Sequence, residues 1–132
     1  MIKVFSILLL MTFSIFANAS DKADLTGLGL ACPDAERSKK FFPVLLQLVV
    51  EGNSEKLDMS ATVLKENYGC HLMNNMTNKM SMKVNIHKKV KDGEYDFYQF
   101  SIYEINGKRF EEQKKYWIWD FKLEGFPLFN IK

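Results

Sequence analysis

The spacing of apolar residues changes character twice along this chain of 132 residues. Val4 to Phe16 is almost unbroken apolar sequence, preceded by Lys3 and followed by Ala17-Asn18-Ala19. That run is shorter than the roughly 20 residues needed to cross a bilayer core of about 30 Å. A basic start, a short apolar centre and small residues three apart predict a cleavable export signal over residues 1–19. From Phe41 to Val50 the apolar residues crowd together. Pro33, Asp34 and Glu36 just before them suit a helix start, where proline is tolerated and negative charge is favoured. Pro43 predicts either a kink or the start of a new helix. Glu51-Gly52-Asn53 reads as a turn, and Asn53 or Ser54 can cap a second helix with Leu57, Ala61, Leu64 and Tyr68 on one face. Gly69 is its expected stop.

Beyond residue 79 the period drops to two. Met80, Met82, Val84, Ile86 and Val90 alternate with polar residues, which predicts a half-buried strand. Lys91-Asp92-Gly93 closes it. A two-residue Asp-Gly turn sets Ile86 against Gln99 and mixes apolar with polar positions. A three-residue loop with Gly93 left-handed pairs Ile86 with Tyr98, Val84 with Phe100 and Met82 with Ile102, and gathers one apolar face. That second register is the expectation. Asn106-Gly107 signals another hairpin. Trp117, Trp119, Phe121 and Leu123 alternate in the returning strand, and a wide loop with an exposed tip near residues 104–113 sets Phe100 against Trp117 and Tyr98 against Trp119. Gly125 and Pro127 precede Leu128–Ile131, a short edge strand.

These elements predict an α+β fold in a single domain over residues 20–132. N-terminal helices pack on one face of a three- or four-stranded antiparallel meander. In layer order the plan resembles the cystatin-like and nuclear-transport-factor-like folds. The likeness is architectural and carries no function by itself.

Composition sharpens the address. The predicted signal holds one charged side chain, Lys3, so the 18 basic and 16 acidic residues of the chain become 17 and 16 after cleavage. No dense positive field remains to hold nucleic acid. No cysteine follows the cut to carry a lipid, so no stable membrane anchor is expected. Cys32 and Cys70 are the chain's two cysteines, and in an exported protein such a pair predicts a disulfide. The expected location is the periplasm or the medium.

Chemistry-bearing residues are sparse. His71 and His87 are the two histidines, and no Gly-rich phosphate loop, serine elbow or HExxH accompanies them. The pattern points away from an enzyme; no catalytic residue and no cofactor is assigned. His71, Met73, Met76 and Met80 form a soft-ligand cluster that suits Cu(I), although methionines at these spacings also serve as core filler. Tyr95, Phe97, Tyr103, Phe110 and Tyr116 fall off the main core row and form the expected binding surface. The leading expectation is a small secreted or periplasmic binding protein, an inhibitor or immunity-type protein acting through protein–protein contact. The alternative is a periplasmic carrier, either of Cu(I) through the Met-rich segment or of a small apolar ligand in a pocket lined by Phe41, Leu45, Phe100 and Trp119. A homodimer joined through the last strand is a further expectation.

Overall fold

The computed structural model describes residues 21–75, 80–111 and 114–131. The predicted signal and Met76 lie outside them. Two strands come first, β1 (Asp21–Leu25) and β2 (Leu28–Cys32), followed by helices α1 (Ala35–Glu51) and α2 (Ser54–Tyr68). Six more strands complete the chain: β3 (His71–Asn74), β4 (Met82–Asp92), β5 (Tyr95–Ile105), β6 (Lys108–Arg109), β7 (Lys115–Asp120) and β8 (Phe129–Ile131). They form one antiparallel sheet in the order β3-β2-β7-β5-β4-β1-β8, with β6 hydrogen-bonded to β5.

The helices form where local chemistry starts and stops them. Asp34 accepts a hydrogen bond from the Arg37 backbone N–H at 2.8 Å, and Asn53 accepts one from Lys56 at 3.2 Å. Gly52 and Gly69 end the helices at φ +70° and +67°, a conformation that side chains disfavour. Pro43 sits inside one continuous α1 and does not start a new helix.

The sheet has to curl. β1 and β2 are separated by Thr26-Gly27 alone, yet β4, β5 and β7 lie between them in the sheet. Three Cα steps span at most about 11 Å. Four strand spacings of about 4.8 Å take roughly 19 Å in a flat sheet. The first twelve described residues therefore act as one bent strand that serves both flanks of the sheet. The bend is held by Leu128, whose carbonyl accepts from the Thr26 N–H at 2.9 Å and the Gly27 N–H at 3.2 Å. A Cβ on Gly27 would lie 2.7 Å from the Pro127 oxygen, so a side chain has no room there. Asn75 clasps the same corner: its side-chain NH₂ donates to the Leu25 and Met80 carbonyls at 2.6 and 2.9 Å.

Curling buries both faces of the sheet. Inside lie Leu25, Val84, Phe100, Ile118 and Leu128. On the other face Phe42, Leu45 and Leu64 of the helices cover Leu28, Leu30, Phe97 and Trp119. The Cys32–Cys70 disulfide is formed and fully buried, and it joins the end of β2 to the residue before β3 across both helices. Ser38 of α1, also fully buried, joins β2 to β7: its hydroxyl donates to the Leu30 carbonyl at 2.6 Å and accepts from the Trp119 N–H at 2.9 Å.

Several expectations change. The helices do pack on one sheet face, but two strands precede them and the meander is part of an eight-stranded sheet. In the β4–β5 hairpin the loop is Gly93-Glu94, and Asp92 pairs with Tyr95. Ile86 faces Phe100, not Tyr98, and Val84 faces Ile102: the later turn moves the register by three residues, and a bulge at His87 takes one of them back. On the other side Tyr98 faces Ile118, Phe100 faces Tyr116 and Phe97 faces Trp119, each one residue from the expected register. Where both faces are buried, apolar alternation cannot fix which face a strand presents. Asn106-Gly107 makes a tight turn, with φ +50° and +85°, and pairs β5 directly with β6 where a wide loop over residues 104–113 was expected. Among the described residues, no helix is long and apolar enough to cross a membrane. The disulfide fits an exported protein.

Candidate functional site

An aromatic ledge stands at the end of the sheet where the β4–β5 hairpin turns. Gly93, at φ +64°, allows the tight turn that brings Tyr95 to the first position of β5. Tyr95 and Phe97 then point to the helix side, opposite Trp119 of β7, and Phe121 continues beyond Trp119. The Trp119 ring packs edge-on against Tyr95 at 5.6 Å, Phe121 at 5.1 Å and Phe42 of α1 at 6.2 Å between centroids. Phe42 also meets Phe121 at 5.9 Å. Phe42 and Trp119 are buried, whereas Tyr95 is 38% and Phe121 40% exposed. The two outer rings are thus held by two inner ones. The Lys39 ammonium lies 3.8 Å from the centre of the Tyr95 ring, a cation–π contact. Val90, cross-strand from Phe97 and 42% exposed, extends the same face.

Of the five residues expected to form a binding surface, Tyr95 is on this ledge and Phe97 is buried beneath α1 at 5% exposure. Tyr103 lies eight residues farther along β5, about 26 Å away at 3.3 Å per residue. It is half-buried, with the Lys22 ammonium 5.5 Å from its ring. Phe110 is exposed just past β6, its N–H donating to the Tyr103 carbonyl at 3.0 Å. Tyr116 packs against the inner cluster, between Phe100 and His71. The five are therefore spread over three places. Lys39, Phe42, Trp119 and Phe121 complete the ledge and were not among them. The alternation of Trp117, Trp119 and Phe121 was the available signal, and the α1 contributions had none.

The other candidates are also dispersed. His71 lies on the sheet-edge strand β3, its ring 5.4 Å from Tyr116. Burial first, then the Lys65 and Lys114 ammonium groups, hold its pKa below the ordinary value. Met73 packs against the inner cluster, and Met80 is 39% exposed beside Asn75. Among the described residues, no group of three or more His, Cys, Asp or Glu is placed to hold a metal ion. Phe41, Leu45 and Trp119 lie in the helix layer and Phe100 on the opposite face of the sheet, so these four do not line one pocket. His87 is half-buried: its Nε2 is 2.8 Å from Ser101 Oγ, and burial, then Lys115, lowers its pKa. Ser101 is 1% exposed, so this contact braces the bulge and presents no accessible hydroxyl.

Asp96 and Asp120 face each other across β5 and β7. Lys122 relieves the repulsion twice. Its Nζ is 2.7 Å from Asp96 Oδ2, and its N–H donates to Asp120 Oδ1 at 2.9 Å, with φ +59° bringing it round. The Lys122 hydrogen bond holds the Asp96 carboxyl below the usual carboxylate range, against its burial. These groups close the end of β7 where the chain turns toward β8. No protein-family model, curated protein or solved structure matches this chain.

Proposed function

We propose that this chain is an exported binding module, of inhibitor or immunity type, that works in the periplasm or medium by holding a protein partner on the aromatic ledge. The carrying observation is the pair of exposed rings, Tyr95 and Phe121, mounted on the buried Trp119 and Phe42. Aromatic side chains held rigidly at a surface lose little entropy on binding and dominate interface energetics. Lys39 adds a cation at the rim that favours a partner with acidic residues beside its apolar contact. The disulfide keeps α1, and with it Lys39 and Phe42, in place outside the cell.

The experiment is parallel capture from periplasmic extract by the wild-type protein and by a Tyr95→Ala/Phe121→Ser double variant, with circular dichroism to check the fold of each. A partner held by the wild type and lost by the folded variant supports the reading. Identical captures by both, or recovery of a lipid in place of a protein, overturns it.

A further inference from the structure

The helical hairpin leaves an apolar face turned away from the sheet. Phe42, Leu45 and Leu64 point inward, but Val44 is 58%, Met59 64% and Val63 50% exposed. With Phe41, and with Leu45 and Leu64 at its floor, they line a groove of about 350 Å³ between α1 and α2. Contiguous apolar surface of this kind marks an interface. What covers it can be read from the charges on α1. Arg37, Val44 and Glu51 are spaced by seven residues, which places them on one face of the helix. The stripe therefore reads basic, apolar, acidic, with Val44 at its midpoint. A twofold axis at Val44 sets two copies of α1 antiparallel, with Arg37 of each beside Glu51 of the other. Glu55, in the first turn of α2, adds acidic charge at the same end of the hairpin as Glu51. The present partner of Arg37, Asp34 at 3.5 Å, is an exposed contact of little strength. The two helices together carry five acidic and five basic residues, so the hairpin has no net positive charge to draw it to an anionic membrane.

We propose that two copies of this chain associate through the outer faces of α1 and α2 in a closed twofold dimer. This surface is separate from the aromatic ledge, and the inference does not rest on it. A twofold contact is self-complementary, so each interaction occurs twice and a single substitution is felt twice. Sedimentation velocity on the signal-cleaved protein, over micromolar to millimolar concentration and at two salt levels, tests the idea. The wild type is expected to dimerise reversibly and more weakly in high salt. Arg37→Glu and Glu51→Arg each weaken the dimer tenfold or more, and the double variant R37E/E51R recovers most of that loss by restoring both contacts with reversed sign. Both substitutions suit the helix dipole, so the monomer stays folded. Three results overturn the proposal: a monomer at every concentration, a double variant no better than the singles, or a monomer carrying another protein or a lipid on this face.

Discussion

Ser38 is the residue whose loss tests the architecture most directly. Extending the β2–β7 ladder past Ala31–Ile118 would pair Leu30 with Trp119, but the strands part there and the Ser38 hydroxyl sits between them. Ser38→Ala removes the partner of one buried carbonyl and one buried N–H at once. A buried polar group without a partner costs about 1–3 kcal/mol. Two of them give about 2–6 kcal/mol before relaxation, and closure of the strands recovers part of this, so about 3 kcal/mol is expected. That is a large share of a stability of about 5–15 kcal/mol. For a domain of this size the melting temperature should fall by about 10–15 °C. With a urea m-value of about 1.5 kcal/mol/M the midpoint should fall by about 2 M, without change in m. Hydrogen exchange supplies the local check, because the Trp119 amide should lose protection before the amides of the β4–β5 ladder. A midpoint within about 0.3 M of wild type, or undiminished protection at Trp119, refutes the reasoning. Either result means that the strands close without the hydroxyl.

Three further outcomes follow from the same structure. Replacing both Cys32 and Cys70 by alanine releases a 38-residue loop and should cost about 4 kcal/mol in chain entropy, read from urea unfolding against the oxidised wild type; a change below about 1 kcal/mol contradicts it. Gly27→Ala should destabilise by about 3 kcal/mol and more than Gly29→Ala. At Gly27 the new Cβ meets backbone, Pro127 O at 2.7 Å and Leu128 Cα at 2.9 Å, whereas at Gly29 it meets the end of the Ile118 side chain; the reverse order of melting temperatures would show that the corner yields. Stability should fall in two stages on acidification. His71 and His87 have folded pKa values below the ordinary 6.5, so their contribution is present above 6.5 and is lost as pH falls through the folded values. Asp96 does the same from its ordinary 3.8 downward. A His71→Asn/His87→Asn variant should flatten the first stage and Asp96→Asn the second; equal slopes in variant and wild type would discount these groups.

What could be read from the residues alone was whatever local chemistry decides. Asp34, Asn53, Gly52 and Gly69 set the helix ends through hydrogen bonds to near neighbours, and Asn106-Gly107 makes its own turn. β1 and β2 escaped because Asp-Lys-Ala-Asp-Leu and Leu-Gly-Leu-Ala-Cys are short, and their partners lie far away in sequence. β1 bonds to Met82–Asp92 and to Phe129–Ile131, and no pattern within five residues records such a pairing. The register failed for a related reason. The turn falls at Gly93-Glu94 and not over Lys91-Asp92-Gly93, the bulge at His87 has no compositional mark, and β5 is apolar on both sides because the sheet curls over one face while helices cover the other. The same two-sided burial misplaced the candidate surface. Tyr95 was recognisable as an aromatic off the inner row. That Phe97 two residues on is buried depends on α1, which reaches it only through packing against β2 and β7.

The buried polar side chains give the best account of how so small a sheet manages its curvature. Ser38, Asn75, Asp96 and Ser101 are the ones found among the described residues; the first two stand where strands part, the last two at the ends of the β5–β7 ladder. Ser38 fills the gap between β2 and β7. Asn75 ties the segment after β3 to the bend between β1 and β2, with both amide hydrogens donated and its oxygen accepting from Met80 at 3.2 Å. Ser101 holds His87 beside the bulge. Asp96 receives Lys122 where β7 runs out. A regular ladder satisfies its own backbone groups, whereas a sheet that closes on itself within one domain must break ladders at its corners. Every break leaves donors and acceptors that cost free energy if they are buried alone. Ser38 and Asn75 supply those partners, and apolar substitutes of the same size would fit the space while leaving the backbone unpaired. Such substitutions should therefore be more damaging here than at ladder positions of equal burial.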